Sequence, residues 1–366
     1  MYTEKSIVRI AKRENNKKRN YLVVNRLQGK HIPVSPNESL NMFHALAEQI
    51  KGAYTGEKIL FIGFAETATA IGGAVAAEFD AYYMQTTREM IPDEEYLYFS
   101  EEHSHATEQK LVRSYLDKVA AYTDRIIFVE DEVTTGKTIL NIIRILEKEY
   151  PQIQSYSVAS ILNGMDEDAL NNYKEKGIDL FYLVKTNHAG YGKIADKYAG
   201  DGRYYDVCPD KADESICVRE LRIGDYVNAR CGLDSKEYAG YVDRLADEVL
   251  KQLNLKGVEK LLIVGTEEFM YPAIRLGGRI DSAEVYTHST TRSPIEVSNE
   301  EDYPLHERYE LRSLYDSERK TFIYDIGVYD CVIILTDADD KSETGVLSLV
   351  NALGTKNKNI YIIRWC

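Results

Sequence analysis

The chain is predicted to be an α/β protein of globular, soluble composition and more than one ordinary core, on three observations. Apolar segments of four to six residues, rich in Ile, Val, Leu and Phe, alternate with longer amphipathic stretches, the pattern of a parallel sheet covered by helices. Its 366 residues exceed one ordinary core and suit two domains, or one domain with a large addition. With 28% charged and 44% hydrophobic residues, it has the composition of a soluble globular protein.

The strand candidates, in order, are residues 59–63, 81–85, 126–129, 157–162, 261–265, 285–287, 331–335 and 360–364, with helices between them. One helix start is well marked. Ser35, Pro36 and Glu38 supply an N-cap, a proline at the first helical position and the acid of a capping box, and Phe43, Leu46, Ala47 and Ile50 follow as its buried face. Residues 200–222 turn polar and irregular and read as a connection. The expected division is a first domain at 1–200, a linker at 201–222 and a second α/β domain at 223–366.

The halves share features in the same order at an offset of roughly 200 residues. Val24-Asn25-Arg26 before a helix recurs as Val227-Asn228-Ala229-Arg230, followed by a helix with Tyr238, Val242, Leu245 and Val249 on one face. The strand 59–63 with Glu66 recurs as 261–265 with Glu268, and Thr86-Thr87-Arg88 recurs as Thr290-Thr291-Arg292. Glu130 and Asp131 before Gly136 find a counterpart in Asp339 and Asp340 before Gly345, with equal spacing from the second acid to the glycine. The second half therefore reads as a degenerate repeat. Glu343 stands inside its loop, and Val346-Leu347 replace the Lys137-Thr138 that follows Gly136, so its phosphate binding is expected to be lost.

Residues 126–150 are a buried strand, Glu130 and Asp131 at its carboxyl end, a short loop and a helix. Ligands of parallel α/β sheets bind at that end. A loop of small residues entering a helix turns backbone N–H groups outward at the positive end of the dipole, and Thr134, Thr135 and Thr138 add hydroxyls, which suits a phosphate monoester. The two carboxylates would repel that phosphate, so they face another part of the ligand, a vicinal diol or hydrated Mg²⁺. Ribose 5-phosphate carries both parts. A Walker A loop would need glycine where Asp131 stands. On the bare pattern, an ordinary acidic strand end with a helix cap reads the same way.

The run VEDEVTTGKT resembles the signature that binds 5-phosphoribosyl-1-pyrophosphate (PRPP) in type I phosphoribosyltransferases. With the segments GKHIPV at 29–34, GFAETATA at 63–70, EEHSHAT at 101–107 and TRSP at 291–294, the whole chain resembles a bacterial family joining an orotate-phosphoribosyltransferase-like domain to a TRSP domain, found in tellurite-resistance and stress-response operons. The resemblance implies a parallel-sheet phosphoribosyltransferase-like domain, PRPP and Mg²⁺ as ligands, an unidentified acceptor and a homodimer. It implies that Glu130 and Asp131 bind the ribose hydroxyls, Asp131 with the metal, and that Thr134, Thr135, Gly136, Lys137 and Thr138 hold the 5-phosphate. The family more often has Asp where Glu130 stands.

The turn at 63–73 lets the backbone approach a ligand closely, so Ala65, Glu66 and Thr67 are candidates for the pyrophosphate, with Arg88 at the end of the next strand. A tight strand-to-helix connection and a surface salt bridge are the plain alternatives. Residues 91–109 have the length of a functional loop or lid; His103 and His105 within it are candidates for acceptor recognition, closure or metal binding, and a solvated loop is the alternative. His31 could position the acceptor or pack at a turn, and Arg292, Tyr303, His306 and Arg308 in the second half could contribute acceptor or partner contacts, with core or surface roles as the alternative.

A net charge of −14 argues against direct binding to nucleic acid, and the basic run at 11–19 reads mainly as a solvated edge. Five cysteines without CxxC spacing read as thiols, not a zinc site. Neither a signal peptide nor a membrane span is recognised, so a cytoplasmic location is expected. A non-catalytic PRPP or nucleotide sensor is the rival reading, and a scaffold of a stress complex the second.

Overall fold

The computed structural model describes residues 1–16, 19–99, 109–207, 213–339 and 343–366. They form two compact units that interleave along the chain. The first comprises Met1–Glu4, Asn41–Asn187 and Val227–Tyr241; the second comprises Lys5–Leu40, His188–Tyr226 and Val242–Cys366.

The sheet of the first unit runs in the order Leu233–Asp234, Tyr82–Gln85, Ile59–Gly63, Arg125–Val133, Ser155–Asn163, Asp179–Lys185. All but the two-residue edge are parallel. Ile59–Gly63 is buried at every position, as a central strand flanked on both edges and covered on both faces must be. The helix Thr69–Ala76 returns so close to this strand that a Cβ on Gly72 would lie 2.8 Å from the Gly63 Cα.

The sheet of the second unit is wholly parallel and runs Glu284–Ser289, Lys260–Gly265, Cys331–Thr336, Asn359–Trp365, Cys217–Ile223. Its strand order reproduces that of the first sheet. Leaving aside the two-residue edge Leu233–Asp234, only the outer strand differs: Asp179–Lys185 follows the other strands in the first unit, and Cys217–Ile223 precedes them in the second. Every strand expected from the sequence is present, most of them longer by a residue or more.

Register makes the equivalence residue by residue. Gly63 pairs with Gln85 and Val129, and Gly265 pairs with Ser289 and Leu335. The next residue closes alike in both: the Thr86 amide donates to the Gly63 carbonyl at 2.9 Å and the Thr290 amide to that of Gly265 at 3.1 Å. Thr87 then bridges Lys110, and Thr291 bridges Phe322, each in an antiparallel hairpin. The repeated TTR tripeptide thus occupies one structural place twice.

The acidic loops do not correspond as expected. Because Val129 and Leu335 share a register, Asp131 matches Asp337, not Asp340, which lies outside the described residues. From that acid to the glycine the chain runs five residues in the first half and eight in the second. Equal spacing from a later acid hid the insertion. Gly345 also sits within the helix Glu343–Gly354, whereas Gly136 stands just before the helix Lys137–Glu149.

Residues 200–222 are not irregular throughout. Arg203–Asp206 pairs in parallel with Glu307–Arg312, and Cys217–Ile223 forms the edge of the second sheet. Most of the latter's side chains are exposed, so it carries no apolar run for a sequence to reveal.

Each half also lends the residues before its long helix to the other half's sheet. Val34, ahead of the helix Pro36–Ile50, bridges Thr287 in the second unit. Leu233 and Asp234, ahead of the helix Ser235–Gln252, pair with Tyr83 and Tyr82 in the first. The predicted faces of both helices are buried. The hairpin Val8–Lys12 with Tyr21–Asn25 adds Ala11, Leu22 and Val24 to an apolar cluster with Ile295, Val297, Phe322 and Tyr324. Cys217, Cys231, Cys331 and Cys366 are free thiols. Among the described residues no helix is long and apolar enough to cross a membrane.

Candidate active site

The acid strand does not stop where its apolar run stops. Arg125–Val133 continues through the carboxylates, with Glu130 paired to Ser160 and Glu132 to Leu162, so backbone ladder bonds fix the acids where a loop would leave them free. Glu130, Asp131 and Glu132 are all half-buried. The sequence reading passed over Glu132, the third acid of the run.

After Val133 come Thr134 and Thr135, half-buried, and then Gly136 in the left-handed region at φ 70° as the cap of Lys137–Glu149. That conformation favours glycine, and a Cβ there would overlap the Tyr173 hydroxyl and stand 2.6 Å from the Met165 Cε. Tyr173 donates to the Gly136 carbonyl at 2.6 Å, pinning the turn from below. The Lys137 amide donates to the Thr135 Oγ1 at 3.3 Å. Lys137 is exposed and Thr138 half-buried, so the loop presents hydroxyls and the first amides of a helix of 13 residues.

The turn after Ile59–Gly63 is held as firmly. The Ala65 amide donates to the Thr86 Oγ1 at 2.7 Å, the Thr86 hydroxyl donates to the Gln109 Oε1 at 2.6 Å, and the Gln109 amide donates back to the Ala65 carbonyl. Ala65 and Glu66 are buried, joined by a cis peptide, and Thr67 is half-buried. Arg88, half-buried, follows Thr86 and Thr87 at the carboxyl end of the neighbouring strand.

The two segments meet. The Phe64 amide donates to the Val129 carbonyl at 3.0 Å, joining the turn after Gly63 to the acid strand. Burial pushes the Asp131 carboxyl up to about 6; the neighbouring Glu132 adds to the push, and the Thr67 hydroxyl and backbone amides oppose it. Such a group holds its charge weakly until a cation or hydroxyl donors arrive.

His31 is buried in the second unit, next to Lys30. His103 and His105 lie outside the described residues; the stretch expected as a lid carries the strands Tyr96–Phe99 and Gln109–Val112 on either side of them. In the second half Arg308 pairs with Glu14, His306 hydrogen-bonds the Ser298 carbonyl at 2.8 Å, and Tyr303 donates to the Glu296 carbonyl at 2.7 Å, all structural roles. Thr86, Gln109 and Tyr173 were not named as site residues. The TTR repeat was the one signal for Thr86, and nothing local marks the other two.

The family model described as phosphoribosyl transferase matches residues 7–187, and that of the TRSP domain, C-terminal to it, matches 227–353. No curated protein matches the chain. Among solved structures, adenine phosphoribosyltransferase of Rhodothermus marinus is 16% identical, with 50% of this chain and 96% of that one covered and a TM-score of 0.38. The adenine enzyme of Leishmania donovani is 15% identical over 50% and 78% of the two chains, TM-score 0.37. A hypoxanthine phosphoribosyltransferase of Staphylococcus aureus is 14% identical over 42% and 75%, TM-score 0.27.

Proposed function

We propose, from the premise that the chain belongs to the family of phosphoribosyl transferases carrying a C-terminal TRSP domain, that it binds PRPP at Ala65–Thr67, Arg88 and Glu130–Thr138 and transfers ribose 5-phosphate to a nitrogen acceptor. The observation that carries this reading is that the turn after Gly63 is bonded to the acid strand, the Phe64 amide donating to the Val129 carbonyl at 3.0 Å, one residue before Glu130. Segments expected at the pyrophosphate and at the ribose hydroxyls are adjoining, and the phosphate loop continues the same strand.

In the proposed reaction the lone pair of the acceptor nitrogen forms a bond to the anomeric carbon. The bond from that carbon to the pyrophosphate oxygen breaks with its electron pair on pyrophosphate, and the acceptor's surplus proton goes to solvent. Glu130 and Asp131 accept hydrogen bonds from the ribose hydroxyls and favour the cationic character that develops on the sugar. The loop amides and threonine hydroxyls anchor the 5-phosphate, while the turn at 65–67 and Arg88 receive the leaving group. Lys137, exposed beside the loop, adds positive potential.

The donors at the strand end are hard carboxylate oxygens, which fit Mg²⁺; this ion commonly keeps only one or two protein carboxylates and completes its shell with substrate oxygens and water. Asp131, with Glu130, would hold it, and when bound it supplies charge neutralisation of the pyrophosphate. A nucleobase-like acceptor, a cytoplasmic homodimer and domains bounded near 200 and 223 complete the proposal.

Calorimetry with PRPP and Mg²⁺ on the wild type and on Asp131→Asn with Thr135→Val tests the site: binding is expected to be lost in the double variant, and undiminished binding rejects the assignment. Pyrophosphate release across a panel of purines, pyrimidines and small nitrogen nucleophiles tests transfer. Binding without release from any acceptor would mark a sensor.

A further inference from the structure

The place that corresponds to the pyrophosphate turn in the second unit is filled by the protein itself. The Ala65 amide donates to the Thr86 Oγ1, and the Glu267 amide donates to the Thr290 Oγ1 at 3.0 Å, so Ala65 and Glu267 are equivalent and Glu66 matches Glu268. The carbonyl of each is held by a buried donor: Gln109 for Ala65, and Lys30, at 2.8 Å, for Glu267. Arg88 and Arg292 end the two TTR tripeptides. The turns differ in side chain and in backbone: one carries a methyl group and a cis peptide to Glu66, the other a carboxylate on a backbone at φ 49°.

That carboxylate is enclosed. Glu267 is 1% exposed, pairs with Arg292 at 2.6 Å and Arg319 at 3.2 Å, and accepts the Ser313 hydroxyl at 2.5 Å. Its backbone sits at φ 49°, a left-handed conformation unusual for a residue with a side chain, and these three partners hold it there. Arg292 also reaches Glu268 at 3.3 Å. The acid strand is satisfied in the same way. Asp337, the register partner of Asp131, accepts the hydroxyls of Tyr226 at 2.8 Å and Tyr315 at 2.5 Å, where the proposed function has a sugar's hydroxyls at Asp131.

We propose that the second unit retains an anion site of the phosphate or pyrophosphate class that its own Glu267 plugs, so that the chain presents one open phosphosugar site and one sealed copy. Glu267 stands in for the anion on Arg292, Arg319 and Ser313, and the two tyrosine hydroxyls stand in for a diol on Asp337. The inference rests on the proposed function for the assignment of 65–67 and Arg88 to pyrophosphate and of Asp131 to the ribose hydroxyls. A carboxylate pairing two guanidinium groups in a buried cup occupies the place of an anion; removing it takes that carboxylate from Arg292, Arg319 and Ser313, with Glu268 still reaching Arg292 and the Arg319 guanidinium still donating to Ser313.

The test is titration of the full chain with inorganic pyrophosphate, wild type against Glu267→Ala, with melting temperatures recorded in phosphate, pyrophosphate and acetate. The variant is expected to bind one more equivalent than the wild type, and its melting temperature to rise with each anion more steeply than that of the wild type. Arg292→Ala added to Glu267→Ala should abolish both gains, and Ala65→Glu in the first unit should abolish the wild-type equivalent. Equal stoichiometry and equal anion dependence in wild type and Glu267→Ala overturn the proposal. Should Glu267→Ala not fold without anions, recovery in phosphate supports it; failure of both that variant and the near-isosteric Glu267→Gln to respond to any anion overturns it. A wild type that binds no pyrophosphate beside a variant that binds one refutes the proposed function and leaves the plug standing.

Discussion

In the proposed function Asp131 is the residue at which folding and binding pull against each other. Its folded value of about 6, raised from 3.8 by burial beside Glu132, means that the folded state binds the proton more tightly than the unfolded chain does. Below about pH 4 both states are protonated and the group contributes nothing; above about pH 6 the folded protein bears the full cost of the charge, on the order of 2–3 kcal/mol. Asp131→Asn should therefore raise the melting temperature at pH 7–8 and leave it unchanged near pH 4, while abolishing PRPP binding; thermal unfolding across that range checks it, and a gain independent of pH would count against it. In the wild type, PRPP affinity should fall as pH drops through about 6, because the proton removes the acceptor for the ribose hydroxyls. Gly136 is the other residue with little tolerance. Gly136→Ala meets both the positive φ and the Tyr173 ring, a cost of about 1–3 kcal/mol in stability with loss of the 5-phosphate grip, whereas Tyr173→Phe removes only the hydroxyl that holds the Gly136 carbonyl and should be milder in both readouts.

At the scale of elements, the site is two turns hung from adjacent parallel strands, and each turn is held by residues that no ligand need touch. Thr86→Val strips the Ala65 amide of its acceptor and Gln109 of its donor, leaving buried polar groups unsatisfied at about 1–3 kcal/mol, so pyrophosphate affinity measured by calorimetry should fall roughly tenfold or more. Loss of the fold without a selective loss of affinity would show that Thr86 is merely core. This division explains what could be read in advance. Central strands such as Ile59–Gly63 and Cys331–Thr336 are buried on both faces and announce themselves as apolar runs, and the turn after the acid strand announces itself because a glycine must occupy the left-handed cap before Lys137–Glu149. The edge strand Cys217–Ile223 gave no such sign, since it shows most of its side chains to solvent, and the central acid strand runs past its apolar core because ladder bonds join backbones irrespective of side chain. Gln109 and Tyr173 reach the site from elements whose proximity is settled only by tertiary packing.

At the scale of the whole molecule, the duplication has exchanged arms. The first sheet ends in Leu233–Asp234, and Tyr238 stacks on Tyr83 at 5.5 Å between ring centres; both come from the second half of the sequence. The second unit depends on the first half for Val34 at the edge of its sheet, for Ala11, Leu22 and Val24 in its apolar cluster, and for Lys30, which donates to the carbonyls of Glu267 and Thr290 at 2.8 and 2.9 Å. Cutting the chain between its two apparent domains would thus take a sheet edge from each unit and bare the apolar residues it covered, about 25 cal/mol for every Å² of apolar surface returned to water. Residues 1–200 and residues 223–366 expressed separately should each be insoluble or unfolded, and co-expressed they should recover a complex that melts cooperatively. Circular dichroism and size-exclusion chromatography of the separate and mixed fragments decide this. A fragment 1–200 that is folded and binds PRPP alone would show that the lent segments decorate the sheets without completing them.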